Sequence, residues 1–223
     1  MARVSKHAAA ALARPPPAAR PEYWNEACRA LGRGDPVMKG LIDAFPGSVL
    51  SSRGQPFVTL VRSIVGQQIS VKAADAVWQR LNLAVAAISP EAILATEASA
   101  LRGAGLSLRK VEYVRHLAER FGQGHIRPER WHAMDDAAII DELVQTRGIG
   151  VWTAEMLLIF NLQRADVFPL DDIGLQKAVA LHYCAGVRPA RAELRRIGER
   201  WAPWRSVATW FLWRSLDPVP VEY

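Results

Sequence analysis

Apolar positions recur along this chain at helical spacing from Pro21 onward, and no stretch alternates apolar with polar as a strand would. Gly, Pro and Asp punctuate the sequence between segments of helical length. Asp35-Pro36 reads as a cap followed by proline at the first helical position, and Pro46-Gly47 ends that helix. Gln55 to Leu83 holds one or two helices, with an inward stripe of Phe57, Leu60, Val61, Ile64 and Val65. Ser89-Pro90-Glu91 opens another helix, and Ser107 caps one running to about Phe121. Asp135-Asp136 starts a segment ending at Thr146. A very short turn follows, Arg147-Gly148-Ile149-Gly150, and then a helix from near Val151. A loop through Pro169 leads to Asp171-Asp172 and the next helix, and Pro189 and Pro203 each begin one of the last two. The pattern predicts an all-α protein of about ten helices, without internal repeat.

Composition narrows the class. The 223 residues fit one domain or two small lobes sharing a cleft. Hydrophobic residues make up 50% and charged residues 22%, which is ordinary for a globular protein. No apolar run is long enough to cross a bilayer, so no membrane role is expected. Two cysteines, Cys28 and Cys184, are too few for a disulfide framework, a four-cysteine zinc site or a four-cysteine iron–sulfur cluster. Both read as buried small hydrophobes.

The net charge of +6 points to an anionic partner, but it is unevenly placed. Arg3, Lys6, Arg14 and Arg20 put +4 on residues 1–20, leaving +2 for residues 21–223. Residues 1–20, with Pro15-Pro16-Pro17 after an alanine run, read as a disordered basic tail of a cytoplasmic protein; an Arg-rich organellar presequence is the alternative. Within the remainder, segments 102–130 and 188–205 carry +4 each. Arg109, Lys110 and Arg205 are their candidate phosphate ligands, although a solvated helix face explains any one of them equally well.

The richest segment is Thr146-Arg147-Gly148-Ile149-Gly150-Val151-Trp152-Thr153-Ala154. Glycines on either side of one apolar residue permit positive φ and close approach of another backbone. The helix that follows offers free amides, with Thr153 near, and this suits a phosphodiester. A plain αα-hairpin with a tight corner fits the same residues. About twenty residues on, Asp171 and Asp172 precede a helix; one of them serves as its cap. A carboxylate there can also stabilise positive charge developing in a transition state.

This hairpin followed by the Asp-Asp helix start resembles the helix–hairpin–helix DNA glycosylase superfamily, and within it the 3-methyladenine DNA glycosylase II branch. Three further segments carry the likeness: Val61 to Ser70, Gly105 to Lys110, and Glu199 to Ser206. Together the matched motifs span residues 35–216 in order. The resemblance implies a two-lobed helical fold with the active site in the cleft between lobes. It places Asp172 as the catalytic carboxylate and Asp171 as a structural neighbour. It implies that Gly148 and Gly150, with Thr153, Ser107, Arg109 and Lys110, hold the DNA backbone. It also implies a monovalent cation on the turn's carbonyls, at Arg147 and Ile149. Trp152 and Trp213 match positions lining the base pocket. Gln67 and Gln68 fall where relatives insert a wedge into the gap left by the extruded nucleotide, Gln68 matching more closely. A helix C-terminal pair bonding local backbone is the rival reading for both glutamines.

Two departures select the branch. Family members that also cut the strand carry a lysine at the position of Trp152, so the resemblance implies a monofunctional enzyme here. The iron–sulfur members need four cysteines, which this chain lacks. The sequence is also too short in front to match the extra β-rich domain of the enterobacterial-type enzyme. The implied activity is hydrolytic excision of alkylated purines such as 3-methyladenine from double-stranded DNA, by a monomer without organic cofactor. Alternatives are another lesion (uracil, hypoxanthine or an oxidised base) and a noncatalytic DNA-binding module. Most of the eight tryptophans are expected in the core. Deleting residues 1–20 should weaken nonspecific DNA binding, most at low salt, and leave base release from methylated DNA intact. Loss of release, measured in the same assay, would make the tail part of the catalytic machinery.

Overall fold

A computed structural model describes residues 20–216 except 53 and 86, so nearly all of the predicted basic tail lies outside the described residues. The described residues form twelve α-helices and one 3₁₀ turn: α1 (Trp24–Gly34), α2 (Pro36–Ala44), α3 (Pro56–Gly66), α4 (Val71–Val85), α5 (Pro90–Ala95), α6 (Ala98–Gly103) and α7 (Leu108–Gly122) come first. The 3₁₀ turn Pro128–Ala133 precedes α8 (Asp136–Val144), α9 (Val151–Phe160), α10 (Ile173–Tyr183), α11 (Arg191–Glu199) and α12 (Arg205–Leu216). No strand occurs among the described residues, as the helical periodicity predicts.

The helix starts follow local chemistry. Asp35, Ser89, Ser107, Asp135 and Asp172 each accept a hydrogen bond from an amide in the first turn of the helix that follows. Proline occupies the first position of α2, α3 and α5. Two expectations need correction. Pro189 and Pro203 lie two residues ahead of α11 and α12, where Ala190 and Trp204 directly precede the helices. The helix count also exceeds ten, because Gln67–Ser70 separates α3 from α4 and Thr96–Glu97 divides the segment after Ser89.

The inward stripe of α3 is buried at all five expected positions. It packs on α4, α7 and α9, while α1, α2, α10 and α12 pack among themselves, and a single hydrophobic core joins both sets. Trp24, Trp131 and Trp201 are buried within it, and Cys28 and Cys184 are only partly buried at its edge. Helix α9 is apolar almost all round and is buried from Thr153 to Phe160 except at Glu155. The loop from α9 to α10 is fixed to the start of α12. There Ser206 Oγ donates to the Arg164 carbonyl (2.6 Å) and accepts from the Val167 amide (2.9 Å). Arg205 holds Asp166 through two nitrogens, at 2.7 and 2.8 Å.

Asp35 ties distant parts together. Its Oδ1 caps α2 through Val37 and Met38, and its Oδ2 accepts from Tyr183 Oη (3.0 Å) and Trp201 Nε1 (3.2 Å). Burial pushes this carboxyl up, but the four hydrogen bonds outweigh it and hold it below its ordinary value of 3.8. Its contribution is therefore present above that value and lost as pH falls through the lower folded one. Asp35→Asn should cost about 2 kcal/mol in urea unfolding at neutral pH, a deficit that shrinks in acid below the ordinary carboxylate range. An equal deficit at both would show that the carboxylate charge is not what stabilises.

Candidate active site

The α9–α10 loop ends at Asp172, which is half-buried and caps α10 through its Oδ1 and the Leu175 amide (2.6 Å). Two indoles reach the same carboxylate. Trp152, in the first turn of α9, donates Nε1–H to Oδ2 at 2.8 Å. Trp213, near the end of α12, donates Nε1–H to Oδ1 at 2.7 Å. Three hydrogen bonds from three helices thus fix one carboxylate. Trp213 is itself backed by Phe160, with ring centroids 5.6 Å apart and planes 17° from parallel. Gly174 leaves room for this arrangement: a β-carbon there would press on Asp172 Oδ1 at 3.1 Å and on the Trp213 ring. The two tryptophans expected as pocket walls hold the carboxylate, a role their residue type alone does not reveal.

Asp171 points elsewhere. It is exposed and ion-paired with Arg191. A third carboxyl, Glu155, was not singled out by sequence. It sits one turn beyond Trp152 on α9, and that spacing is the signal that places it on the same helix face. Its pKa is pushed up to about 7 by burial first, then by the charges of Asp171 and Asp172, against the opposing effect of Arg191.

The hairpin joins α8 to α9 through Arg147–Gly150, and its two glycines answer to different constraints. Gly148 has φ +85°, and a β-carbon there would collide with the ring of Tyr113 on α7. Gly150 has φ −98°, and a β-carbon there would meet nothing. The space around Gly150 is open, and the next residue, Val151, is exposed. Thr153, expected near that surface, is buried at 4% exposure. Among the turn's carbonyls, Thr146 accepts from the Ile149 amide (3.0 Å) and Gly148 from Gln67 Nε2 (2.8 Å). The carbonyls of Arg147 and Ile149 lie outside both bonds. Among the described residues no cluster of three or more His, Cys, Asp or Glu is placed to hold a metal ion.

The two glutamines at the end of α3 separate in role. The Gln67 side chain donates to the Gly148 carbonyl, backbone of the hairpin and not the local backbone at the end of its own helix. Gln68 is exposed and left-handed, with φ +58°. The expected phosphate ligands also divide. Ser107 Oγ accepts from the Lys110 amide (3.3 Å) as the cap of α7. Lys110 Nζ donates to the carbonyls of Val65 and Gln67, both at 2.8 Å, and burial pulls its pKa below the ordinary value. Arg205 is bound to Asp166. Of the three basic candidates only Arg109 is exposed.

Glu155 carries a measurable consequence. Because its folded pKa of about 7 lies above the ordinary 4.5, the folded state holds the extra proton and loses stability as pH rises between those values. Glu155→Gln should leave the unfolding midpoint unchanged below about pH 4 and raise it by a few degrees near about pH 8. A wild-type slope retained in the variant would assign the pH dependence to another group.

Comparison with known proteins identifies the family. Residues 61–203 match the family model described as HhH-GPD superfamily base excision DNA repair protein, a range that includes α9, Asp172 and the α3 end. DNA-3-methyladenine glycosylase 1 of Schizosaccharomyces pombe is 32% identical over 169 residues, 72% of each chain. A crystal structure of DNA-3-methyladenine glycosidase from Bacillus halodurans superposes with a TM-score of 0.79 at 34% identity, covering 86% of this chain and 89% of that one. The S. pombe 3-methyladenine DNA glycosylase Mag1, in complex with abasic DNA, superposes with a TM-score of 0.77 at 28% identity, over 89% and 99% of the two chains. The chain belongs to the HhH-GPD superfamily of base excision DNA repair proteins.

Proposed function

We propose that this protein is a monofunctional DNA glycosylase that hydrolytically excises alkylated purines such as 3-methyladenine from double-stranded DNA. The observation that carries the reading is the Asp172 carboxylate, fixed by the indole N–H groups of Trp152 and Trp213 and by the Leu175 amide. The names of the relatives, DNA-3-methyladenine glycosylases, favour this lesion class over the others.

The chemistry suits the residues. A purine alkylated at N3 or N7 is cationic and leaves without being protonated, so no general acid is needed. Extrusion of the nucleotide, an aromatic surface for the base and an anion beside the sugar are needed. Gln68 fills the vacated stack as the wedge. Stacking of the cationic base on Trp152 or Trp213 contributes up to about 2 kcal/mol when desolvated. Asp172 stabilises the oxocarbenium-like sugar and positions the attacking water. Its three donors hold it in place beforehand, so little reorganisation accompanies the reaction. The amides of α9 beside Gly150 grip a phosphate, and Arg109 adds a contact. A monovalent cation on the Arg147 and Ile149 carbonyls would add positive charge at that phosphate. Trp152 stands where a strand-cleaving relative carries lysine, so no Schiff base forms with the sugar. We place the enzyme in the cytoplasm, acting as a monomer.

Base release from methylated duplex by wild type and Asp172→Asn tests this reading. The variant should lose at least about a hundredfold in rate while retaining DNA binding, because the charge goes and the fold stays. Borohydride should trap no covalent adduct. Equal rates, or a trapped adduct, would overturn the assignment of Asp172 or of Trp152. No release from any lesion by wild type would favour a binding module.

A further inference from the structure

Helix α7 touches both elements proposed to handle DNA, through three residues spaced three apart. Lys110 Nζ donates to the carbonyls of Val65 and Gln67 at the end of α3, each at 2.8 Å. The Tyr113 ring lies against Gly148 in the hairpin. His116 Nδ1 accepts from the Arg147 amide at 3.0 Å. Positions 110, 113 and 116 form one stripe of the helix. Gln67 closes the circuit, since its Nε2 donates to the Gly148 carbonyl at 2.8 Å. The turn after α3, the hairpin and α7 are thus each bonded to or packed on the other two.

The ammonium of Lys110 sits where a helix needs it. The last carbonyls of α3 have no partner within the helix and lie at its negative end. Among the described residues Lys110 makes no ion pair with a carboxylate; two carbonyl oxygens hold it. What these bonds fix is Gln67: its amide donates to Ile64, its carbonyl accepts from Lys110 and its side chain is anchored to the hairpin. The next residue is Gln68, in a left-handed conformation that a non-glycine residue keeps only when its surroundings impose it.

We propose that the Lys110–Tyr113–His116 stripe is a splint that sets the wedge turn at a fixed offset from the phosphate-gripping hairpin, with Lys110 a positioning residue for Gln68 and not a phosphate ligand. This rests on the wedge and hairpin roles proposed above. The consequence is mechanical: once the hairpin holds a phosphate, the splint dictates which nucleotide step Gln68 enters. The occupant of the assembled surface is a DNA duplex.

The test uses the full chain with Lys110→Met, Lys110→Arg and Gln67→Ala. Binding to undamaged duplex is measured as a function of salt, and single-turnover base release is measured on methylated duplex. Lys110→Met should keep the wild-type salt slope, because no phosphate contact is lost, while release falls by roughly a hundredfold from misplacement of the wedge. Lys110→Arg should recover part of that rate. Gln67→Ala cuts the circuit on its other side and should show a similar loss, with the double variant falling short of the product of the two. It also carries the test if Lys110→Met unfolds at the assay temperature. A salt slope shallower by about one unit, with release falling only in step with binding, would make Lys110 a phosphate ligand and overturn the proposal. Wild-type release by Gln67→Ala would overturn it as well. If wild type itself releases no base, the glycosylase reading fails, and the salt slopes still decide the role of Lys110.

Discussion

One carboxylate organises this molecule around its site. Asp172 is at once the cap of α10, the acceptor of an indole at the start of α9 and the acceptor of another near the end of α12. Each donor comes from a different helix, so the carboxylate stays in place only while all three helices keep their relative positions. Much of the surrounding packing secures this. Ser206 and Arg205 fasten the α9–α10 loop to the start of α12, Phe160 backs Trp213, and Gly174 leaves the space in which the indole approaches. A charge fixed this firmly needs little rearrangement when positive charge appears beside it.

The helical architecture was legible because it rests on local chemistry. Capping side chains, prolines at first positions and the five-residue stripe of α3 all act within a few residues of one another. Local chemistry also showed that one aspartate of the Asp171-Asp172 pair caps a helix, but only the family resemblance singled out Asp172, the one that does so. What the sequence concealed were choices among partners far apart in the chain. Lys110 and Arg205 look alike as cations, yet one finds backbone carbonyls some forty residues away and the other finds Asp166. Gln67 and Gln68 are identical and adjacent; only the left-handed backbone at Gln68 and the reach of Gln67 to Gly148 separate them.

The fate of the basic segments illustrates a general limit on reading partners from charge. Of the cations in residues 102–130 and 188–205, Arg115, Arg120 and Arg127 bind backbone carbonyls, Arg196 binds Glu193 and Arg191 binds Asp171. Their formal charge still contributes to the field around the protein, but their hydrogen-bonding groups are partly committed to holding its own chain together. Affinity for a polyanion therefore depends on the exposed remainder and on backbone amides, which a count of residues does not register.

The proposed base-pocket role of the two tryptophans, added to their bonds to Asp172, would limit how such a site can diversify. If their rings receive the base while their N–H groups hold Asp172, a substitution that reshapes this wall to admit a different lesion also loosens the reactive carboxylate. Recognition and reactivity would then be inherited together on that side of the site. New substrate preferences in descendants of this protein would then arise from residues on the opposite side, where a change in shape leaves the indole–carboxylate pairing untouched.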